Sequence, residues 1–259
     1  MKSYCVEYRN LRRRNTSKLQ AHRIMYIAGY QPLTLLDYPG KLAATVFTLG
    51  CVLRCPFCHN PELIEPSKEY LAKTGGDKTD EFLNFLKKRG GKLDGVCITG
   101  GEPTLHSDLL DLIRKIKNMG FLVKLDTNGV FPNIVRKIAE TKLVDFWAMD
   151  IKHTPEKYPL ASGNADIDIS RFQESVRIIM ESGADYEFRT TVVPGIHAED
   201  DFQEIGKWIR GARHFALQEF RDIKLYDPTL AKSARNKSVD LDIARSKLLP
   251  FIEHVDIRR

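Results

Sequence analysis

The chain has 259 residues, of which 42% are hydrophobic and 29% charged, as in an ordinary globular protein with a sizeable core. No apolar run reaches the length that crosses a bilayer, so we expect no membrane-spanning segment. Five cysteines, three of them within residues 51–58, do not form a disulfide framework. A clustered thiolate site of this kind predicts a reducing, cytoplasmic location.

The net charge of +6 is concentrated at the N-terminus. Residues 1–24 hold seven Lys or Arg and one Glu, whereas the rest of the chain holds 33 basic and 33 acidic residues. We therefore predict a basic tail over residues 1–24, either disordered or an extension from an upstream start codon, and one domain over residues 25–259. A basic arm for RNA or an acidic partner, or a targeting peptide, is the alternative. The charge-balanced domain predicts no nucleic-acid partner.

Apolar periodicity and turn signals predict an α/β fold. Residues 26–41 are predicted as a hairpin, and Gly75-Gly76 predicts that residues 65–77 form no helix. Helices are predicted to be capped by Thr79, Ser107 and Ser170. Six strands alternate with these and further helices, at residues 42–49, 96–99, 121–125, 144–151, 186–193 and 215–220. Helical connections of this length predict right-handed parallel crossovers, hence a parallel barrel or open barrel.

The three cysteines Cys51, Cys55 and Cys58 follow the first core strand with the spacing CxxxCxxC. Thiolates select soft metals, and a closed zinc or iron-sulfur site normally needs four protein ligands. His59 is badly placed as a fourth ligand, because it directly follows Cys58. A 4Fe-4S cluster on three cysteines leaves one iron open to a small molecule. A non-catalytic zinc or electron-transfer protein is the alternative.

Further polar motifs stand where the predicted strands end, which is where chemistry collects in parallel barrels. Asp150 and Lys152 face the same side of their strand, and an ion pair at the rim of the strands is the alternative to a binding role. Arg189 either contacts a ligand or snorkels to solvent. His106 and His197 are predicted as surface loop residues. The motifs are Gly100-Gly101-Glu102-Pro103, Asp126-Thr127-Asn128-Gly129, Asp150 with Lys152, and Arg189.

The cysteine motif CVLRCPFCHN, together with GGEP at residues 100–103, resembles the radical S-adenosylmethionine (SAM) superfamily. Within it the chain resembles the activating enzymes of glycyl radical enzymes, most of all those of anaerobic ribonucleoside-triphosphate reductase. That closer resemblance covers about residues 25–226 and is carried by residues 35–41, 46–51 and 58–63. It implies a partial (β/α)6 TIM-like barrel.

The resemblance also implies cofactors, site residues and a reaction. Cys51, Cys55 and Cys58 would hold one 4Fe-4S cluster, which reductively cleaves SAM to a 5′-deoxyadenosyl radical. That radical would abstract hydrogen from a glycine of the partner reductase, with flavodoxin or ferredoxin as electron donor. The alternative is a radical SAM enzyme acting on another small molecule, peptide or nucleic acid. The implied SAM-binding residues are Gly100, Gly101, Glu102, Asp126, Asp150, Lys152 and Arg189, with residues 192–195 flanking the adenine.

Overall fold

The computed structural model describes residues 24–259, which pack as two compact units. The first unit contains the described residues up to Val52 together with Glu62–Leu125, and the second contains Leu53–Pro61 and Asp126–Arg259. The predicted basic tail, apart from residue 24, lies outside the described residues, as does Cys5. The assignment of residues 25–259 to one domain stays a prediction. Within residues 24–259, no helix combines the length and the hydrophobicity needed to span a bilayer.

The first unit is built on four neighbouring strands. β1 (Ile27–Thr34) is antiparallel to β2 (Ala43–Thr48), whereas β3 (Gly95–Gly100) and β4 (Leu122–Thr127) continue parallel to β2. The last two residues of β4, Asp126 and Thr127, belong to the second unit. The predicted hairpin over residues 26–41 thus contains one strand, β1, and the turn that follows it. β1 pairs with β2, the first predicted core strand. The helices are α1 (Pro61–Ile64), α2 (Lys68–Lys73), α3 (Thr79–Lys87) and α4 (Leu109–Asn118).

The second unit repeats the strand–helix alternation. Its strands lie side by side in chain order and run parallel: β5 (Phe146–Asp150), β6 (Asp185–Val192), β7 (His214–Glu219) and β8 (His254–Arg258). Between them lie α5 (Pro132–Ala139), α6 (Tyr158–Ser162), α7 (Ile169–Glu181), α8 (Asp201–Trp208), α9 (Thr229–Ala234) and α10 (Leu241–Leu248). Apolar strand residues such as Trp147, Phe188 and Phe215 are buried, as in parallel sheets covered on both faces.

All six predicted parallel strands are present, as β2 to β7. β8, α9 and α10 lie beyond the last predicted element and were not predicted. The prediction of no helix in residues 65–77 is wrong, because α2 begins after Ser67, whose side chain accepts a hydrogen bond from the Tyr70 amide, and ends before Gly75.

The predicted helix caps are also wrong. The residues at the N-cap positions of α3, α4 and α7 are Lys78, Asp108 and Asp168. Asp168 accepts a hydrogen bond from the amide of Ser170, the residue predicted to be the cap. The carboxylate two residues upstream of Ser170 therefore caps α7, and the helix starts earlier than a cap at Ser170 would place it.

Backbone hydrogen bonds hold the segment after β3 against the segment after β2. The amide of Gly101 donates to the Thr48 carbonyl at 2.8 Å, and the amide of Glu102 donates to the Gly50 carbonyl at 2.7 Å. A Cβ on Gly101 would lie 2.6 Å from the Gly50 carbonyl carbon, and one on Gly100 would lie 2.9 Å from the Phe47 carbonyl carbon. Both glycines are therefore required by close packing beside the residues that lead into the cysteine motif.

We predict that Gly101→Ala lowers the free energy of unfolding of the iron-free protein by about 3 kcal/mol, because the new methyl group forces two backbone segments apart. Gly29→Ala is the matched control, since a Cβ at Gly29 meets nothing within 4 Å. The control should stay within about 1 kcal/mol of wild type in urea unfolding. Equal stabilities of the two variants would show that the close packing does not constrain residue 101.

Candidate functional site

Two carboxylates and two cations form one ion-pair network at the ends of strands in the second unit. Arg189 on β6 donates from Nε to Asp150 Oδ1 at 2.6 Å and from Nη2 to Asp126 Oδ2 at 3.1 Å. Lys152 Nζ donates to the second oxygen, Asp150 Oδ2, at 3.2 Å. Asp150 and Arg189 are directly opposite in the β5–β6 register. The structure thus brings together Asp126, Asp150, Lys152 and Arg189, four of the five charged residues in the predicted motifs; the fifth, Glu102, lies in the first unit.

The charges in this network hold one another ionised. Burial alone would raise the pKa of Asp150, but the Arg189 guanidinium and the Lys152 ammonium reverse the effect and keep it far below its ordinary range. Burial would likewise lower the pKa of Lys152, and the Asp150 carboxylate raises it instead. The network is neutral overall, so its burial leaves no uncompensated charge. Arg189 is held in ion pairs and does not snorkel to solvent. The ion pair between Asp150 and Lys152, which was the alternative to a binding role, is present, and the binding role itself stays a prediction.

The loop with two of the motif cysteines lies in the same unit as this network. Cys55 is buried and Cys58 partly exposed, and a turn joins them, in which the Cys58 amide donates to the Cys55 carbonyl at 3.0 Å. The Lys152 ammonium lies 5.9 Å from the centre of the Phe57 ring, within cation–π range. Burial raises the pKa of the Cys55 thiol to about 11, although Lys152 acts in the opposite direction.

The donors of the motif fit an iron-sulfur cluster. Thiols are soft ligands, and in a 4Fe-4S cluster each cysteine binds its own iron. Within residues 24–259 no three His, Cys, Asp or Glu side chains are grouped so that they could share one metal ion. Cys51 lies in the first unit, and Cys55 and Cys58 lie in the second.

Cys97 is fully buried in β3, in agreement with the prediction of a core residue.

The carboxylate of Glu102 has a structural role in its own turn. It is fully buried and accepts hydrogen bonds from the Thr104 amide, at 3.0 Å, and from the Thr104 hydroxyl. This caps a short 3₁₀ helix over Pro103–Leu105. A direct contact of Glu102 with SAM stays a prediction, as do those of Gly100 and Gly101.

The prediction that His106 and His197 are surface residues is wrong, because both side chains are buried. The ring of His197 stacks on that of His153 at 4.6 Å between centroids. His197 Nδ1 accepts from the Val193 amide at 3.0 Å, so the proton of the neutral ring lies on Nε2, which donates to the Lys152 carbonyl at 2.9 Å. The turn after β6 is thereby fixed to the backbone of Lys152.

Sequence reasoning also missed Tyr158, which is buried and donates from its hydroxyl to the Asp150 carbonyl at 3.3 Å. Neither Tyr158 nor His153 belongs to a recognisable motif. The positions of both depend on how the loops after β5 and β6 fold back, and local periodicity carries no signal for that.

Comparisons with known proteins agree with these features. The sequence profile of the radical SAM superfamily matches residues 45–209. A Methanocaldococcus jannaschii protein named as a glycyl-radical enzyme activating enzyme is 29% identical over 90% of this chain and 95% of its own length. The pyruvate formate-lyase-activating enzyme of Staphylococcus aureus is 29% identical over 71% of this chain and 75% of its own length.

Solved structures show the same fold. SuiB of Streptococcus suis, bound to S-adenosylmethionine, matches with a TM-score of 0.55 and 17% identity over 77% of this chain, which spans 44% of the SuiB chain. A spore photoproduct lyase matches with a TM-score of 0.54 and 12% identity over 82% of this chain and 75% of its own. The predicted partial TIM-like barrel of the radical SAM type is confirmed. The predicted cofactors, a 4Fe-4S cluster and SAM, are those that this superfamily uses.

The buried histidine pair predicts a pH-dependent stability. Burial lowers the pKa of His197 to about 4, and burial also lowers that of His153, while Asp201 acts in the opposite direction on both. An unfolded histidine binds a proton below about pH 6.5, whereas folded His197 does so only near pH 4, so stability is complete above pH 6.5 and falls as the pH drops.

Between pH 7.5 and pH 5, wild type should lose about 2 kcal/mol of unfolding free energy through His197. His197→Gln should lose about 2 kcal/mol less over the same interval, as measured by urea unfolding of the iron-free protein. The same pH dependence in both proteins would contradict the buried, neutral state of this ring.

Proposed function

Because the chain belongs to the radical SAM superfamily, we propose that it is the activating enzyme of a glycyl radical enzyme. When bound, the cluster supplies the electron that cleaves SAM into methionine and a 5′-deoxyadenosyl radical, which abstracts hydrogen from a glycine of the partner. The observation that carries this proposal is the similarity, over 90% of the chain, to a relative named for that role. We assign this activity to residues 25–259. We propose the reducing cytoplasm as the compartment in which the protein acts.

The ion-pair network is suited to the amino-acid end of SAM. Asp126 can accept a hydrogen bond from the amino group, and Lys152 and Arg189 can pair with the carboxylate. Asp150 accepts from both cations and holds them in place, which orients SAM before any reaction takes place.

We propose anaerobic ribonucleoside-triphosphate reductase as the partner and a flavodoxin or ferredoxin as the electron donor. The support is the resemblance of residues 35–41, 46–51 and 58–63 to activating enzymes of that reductase. Pyruvate formate-lyase is the second candidate, since an activating enzyme of that lyase is 29% identical over 71% of this chain.

The test is anaerobic reconstitution with iron and sulfide, reduction, and mixing with SAM and each candidate partner. Electron paramagnetic resonance should detect a glycyl radical on the reductase, and the Cys55→Ala variant should give none. A radical on pyruvate formate-lyase alone would keep the activase and change the partner. SAM cleavage with no radical on any glycyl radical enzyme would overturn the proposal in favour of another substrate.

We predict that alanine in place of Cys51, Cys55 or Cys58 abolishes both the brown chromophore and SAM cleavage, because each thiolate would be the protein ligand of one iron. The matched control is Cys97→Ala, since Cys97 is a buried core residue outside the motif. Iron content and visible absorption after reconstitution measure the outcome. Wild-type iron content in a single motif variant would remove that cysteine from the ligand set.

We predict that Lys152→Ala keeps the chromophore but binds SAM about thirtyfold more weakly, since losing one charge-assisted contact costs about 2 kcal/mol. Lys157→Ala is the matched control, because Lys157 also pairs with an aspartate, Asp201, at 2.7 Å but lies outside the network. Equilibrium binding of SAM to the reconstituted proteins separates the two. Normal SAM affinity in Lys152→Ala would leave Lys152 as an ion-pair residue only.

A further inference from the structure

The loop of residues 53–61, which carries Cys55 and Cys58, is held by later segments of the second unit. The Arg54 amide donates to the Ser162 carbonyl at the end of α6, at 2.9 Å. On the other side of the loop, the amides of Tyr226 and Asp227 donate to the carbonyls of Cys58 and Pro56, at 3.0 and 2.9 Å. A loop bonded on both sides through its backbone has little freedom to move its thiols.

The tightest of these contacts is at Gly163. This glycine ends α6 with φ +66°, and a Cβ built on it would lie 2.7 Å from the carbonyl carbon of Arg54 and closer still to the carbonyl oxygen. Real Cβ atoms do not approach backbone this closely. Any side chain at residue 163 must therefore push Arg54 and the end of α6 apart.

The peptide group that Gly163 contacts is the one that joins Arg54 to Cys55. This group is planar, so a displacement of the Arg54 carbonyl also moves the nitrogen and Cα of Cys55. The Cys55 carbonyl in turn accepts from the Cys58 amide at 3.0 Å, so the displacement reaches the turn with the second thiol.

We propose that Gly163 is a positioning residue for the iron-sulfur cluster: its missing side chain lets α6 fix the Arg54–Cys55 peptide and hence the Cys55 thiol. The assignment of a cluster depends on the proposed function, whereas the restraint of the Cys55 thiol by Gly163 does not. A helix-ending role alone would require only a positive φ, which asparagine tolerates. The positioning role requires that no Cβ be present, so the two roles respond differently to asparagine.

The experiment compares alanine and asparagine at Gly163 with the same substitutions at Gly183. Gly183 is the matched control, because it follows α7 in the same unit with φ +81° and a Cβ there meets nothing within 4 Å. The first readout is the rate at which iodoacetamide alkylates Cys55 in the iron-free, reduced protein, resolved by mass spectrometry. The second is the rate of iron loss from the reconstituted protein to a chelator.

Both Gly163 variants should show roughly tenfold faster alkylation of Cys55, since a buried thiol reacts only when its loop opens, and iron loss should accelerate in parallel. Both Gly183 variants should stay within about twofold of wild type. Wild-type rates in Gly163→Asn would overturn the proposal. Amide hydrogen exchange in α7 and β6 checks that the Gly163 variants keep the fold. If exchange there accelerates by as large a factor as the alkylation of Cys55, the effect is global and the proposal is overturned.

The alkylation result separates this inference from the proposed function. If Cys55 responds as expected but wild type takes up no iron, the positioning of the thiol stands and the cluster assignment fails. If wild type takes up iron and Cys55 does not respond, the cluster assignment stands and Gly163 has no positioning role.

Discussion

The carboxylate of Asp150 is the interaction on which the charged site depends. One oxygen accepts from Arg189 and the other from Lys152, so a single side chain at the end of β5 fixes both cations. Arg189 extends the arrangement to Asp126. Because each charge has an opposite neighbour, the group can stay ionised where isolated charges could not. Backbone contacts complete the support: Tyr158 bonds the Asp150 carbonyl and His197 bonds the Lys152 carbonyl.

Close contacts between backbone segments shape the chain around the cysteine motif. In the first unit, Gly100 and Gly101 lie directly against the residues that lead into the motif, and in the second unit Gly163 lies against the residue before Cys55. In each case the chain omits a side chain where two backbone segments meet. Close backbone packing therefore requires the glycines of GGEP whether or not a ligand binds. A SAM contact through this backbone is compatible with that packing.

The sequence predicted features that depend on residues close together in the chain. Apolar runs located β2 to β7, and the spacing of Asp150 and Lys152 placed both side chains on the same side of their strand. The pairing of Arg189 with Asp126 and Asp150 was not predicted. The sequence was uninformative where loops fold back over long distances: His197 sits in a polar loop, and nothing in its neighbourhood indicates that it is buried against His153. Gly163 looks like any helix-ending glycine, because its contact with Arg54 joins residues more than a hundred positions apart. The predicted caps of α4 and α7 were wrong for a simpler reason, since an aspartate lies within two residues of Ser107 and of Ser170, and both residue types favour the N-cap position.

We propose that the protein removes hydrogen from the Cα of a glycine in a partner protein. The most direct measurement uses a partner reductase labelled with deuterium at its glycine Cα positions, incubated with the reduced, reconstituted protein and SAM. The 5′-deoxyadenosine formed should carry one deuterium, as detected by mass spectrometry. Unlabelled 5′-deoxyadenosine, formed at the same rate with and without the partner, would contradict this proposal.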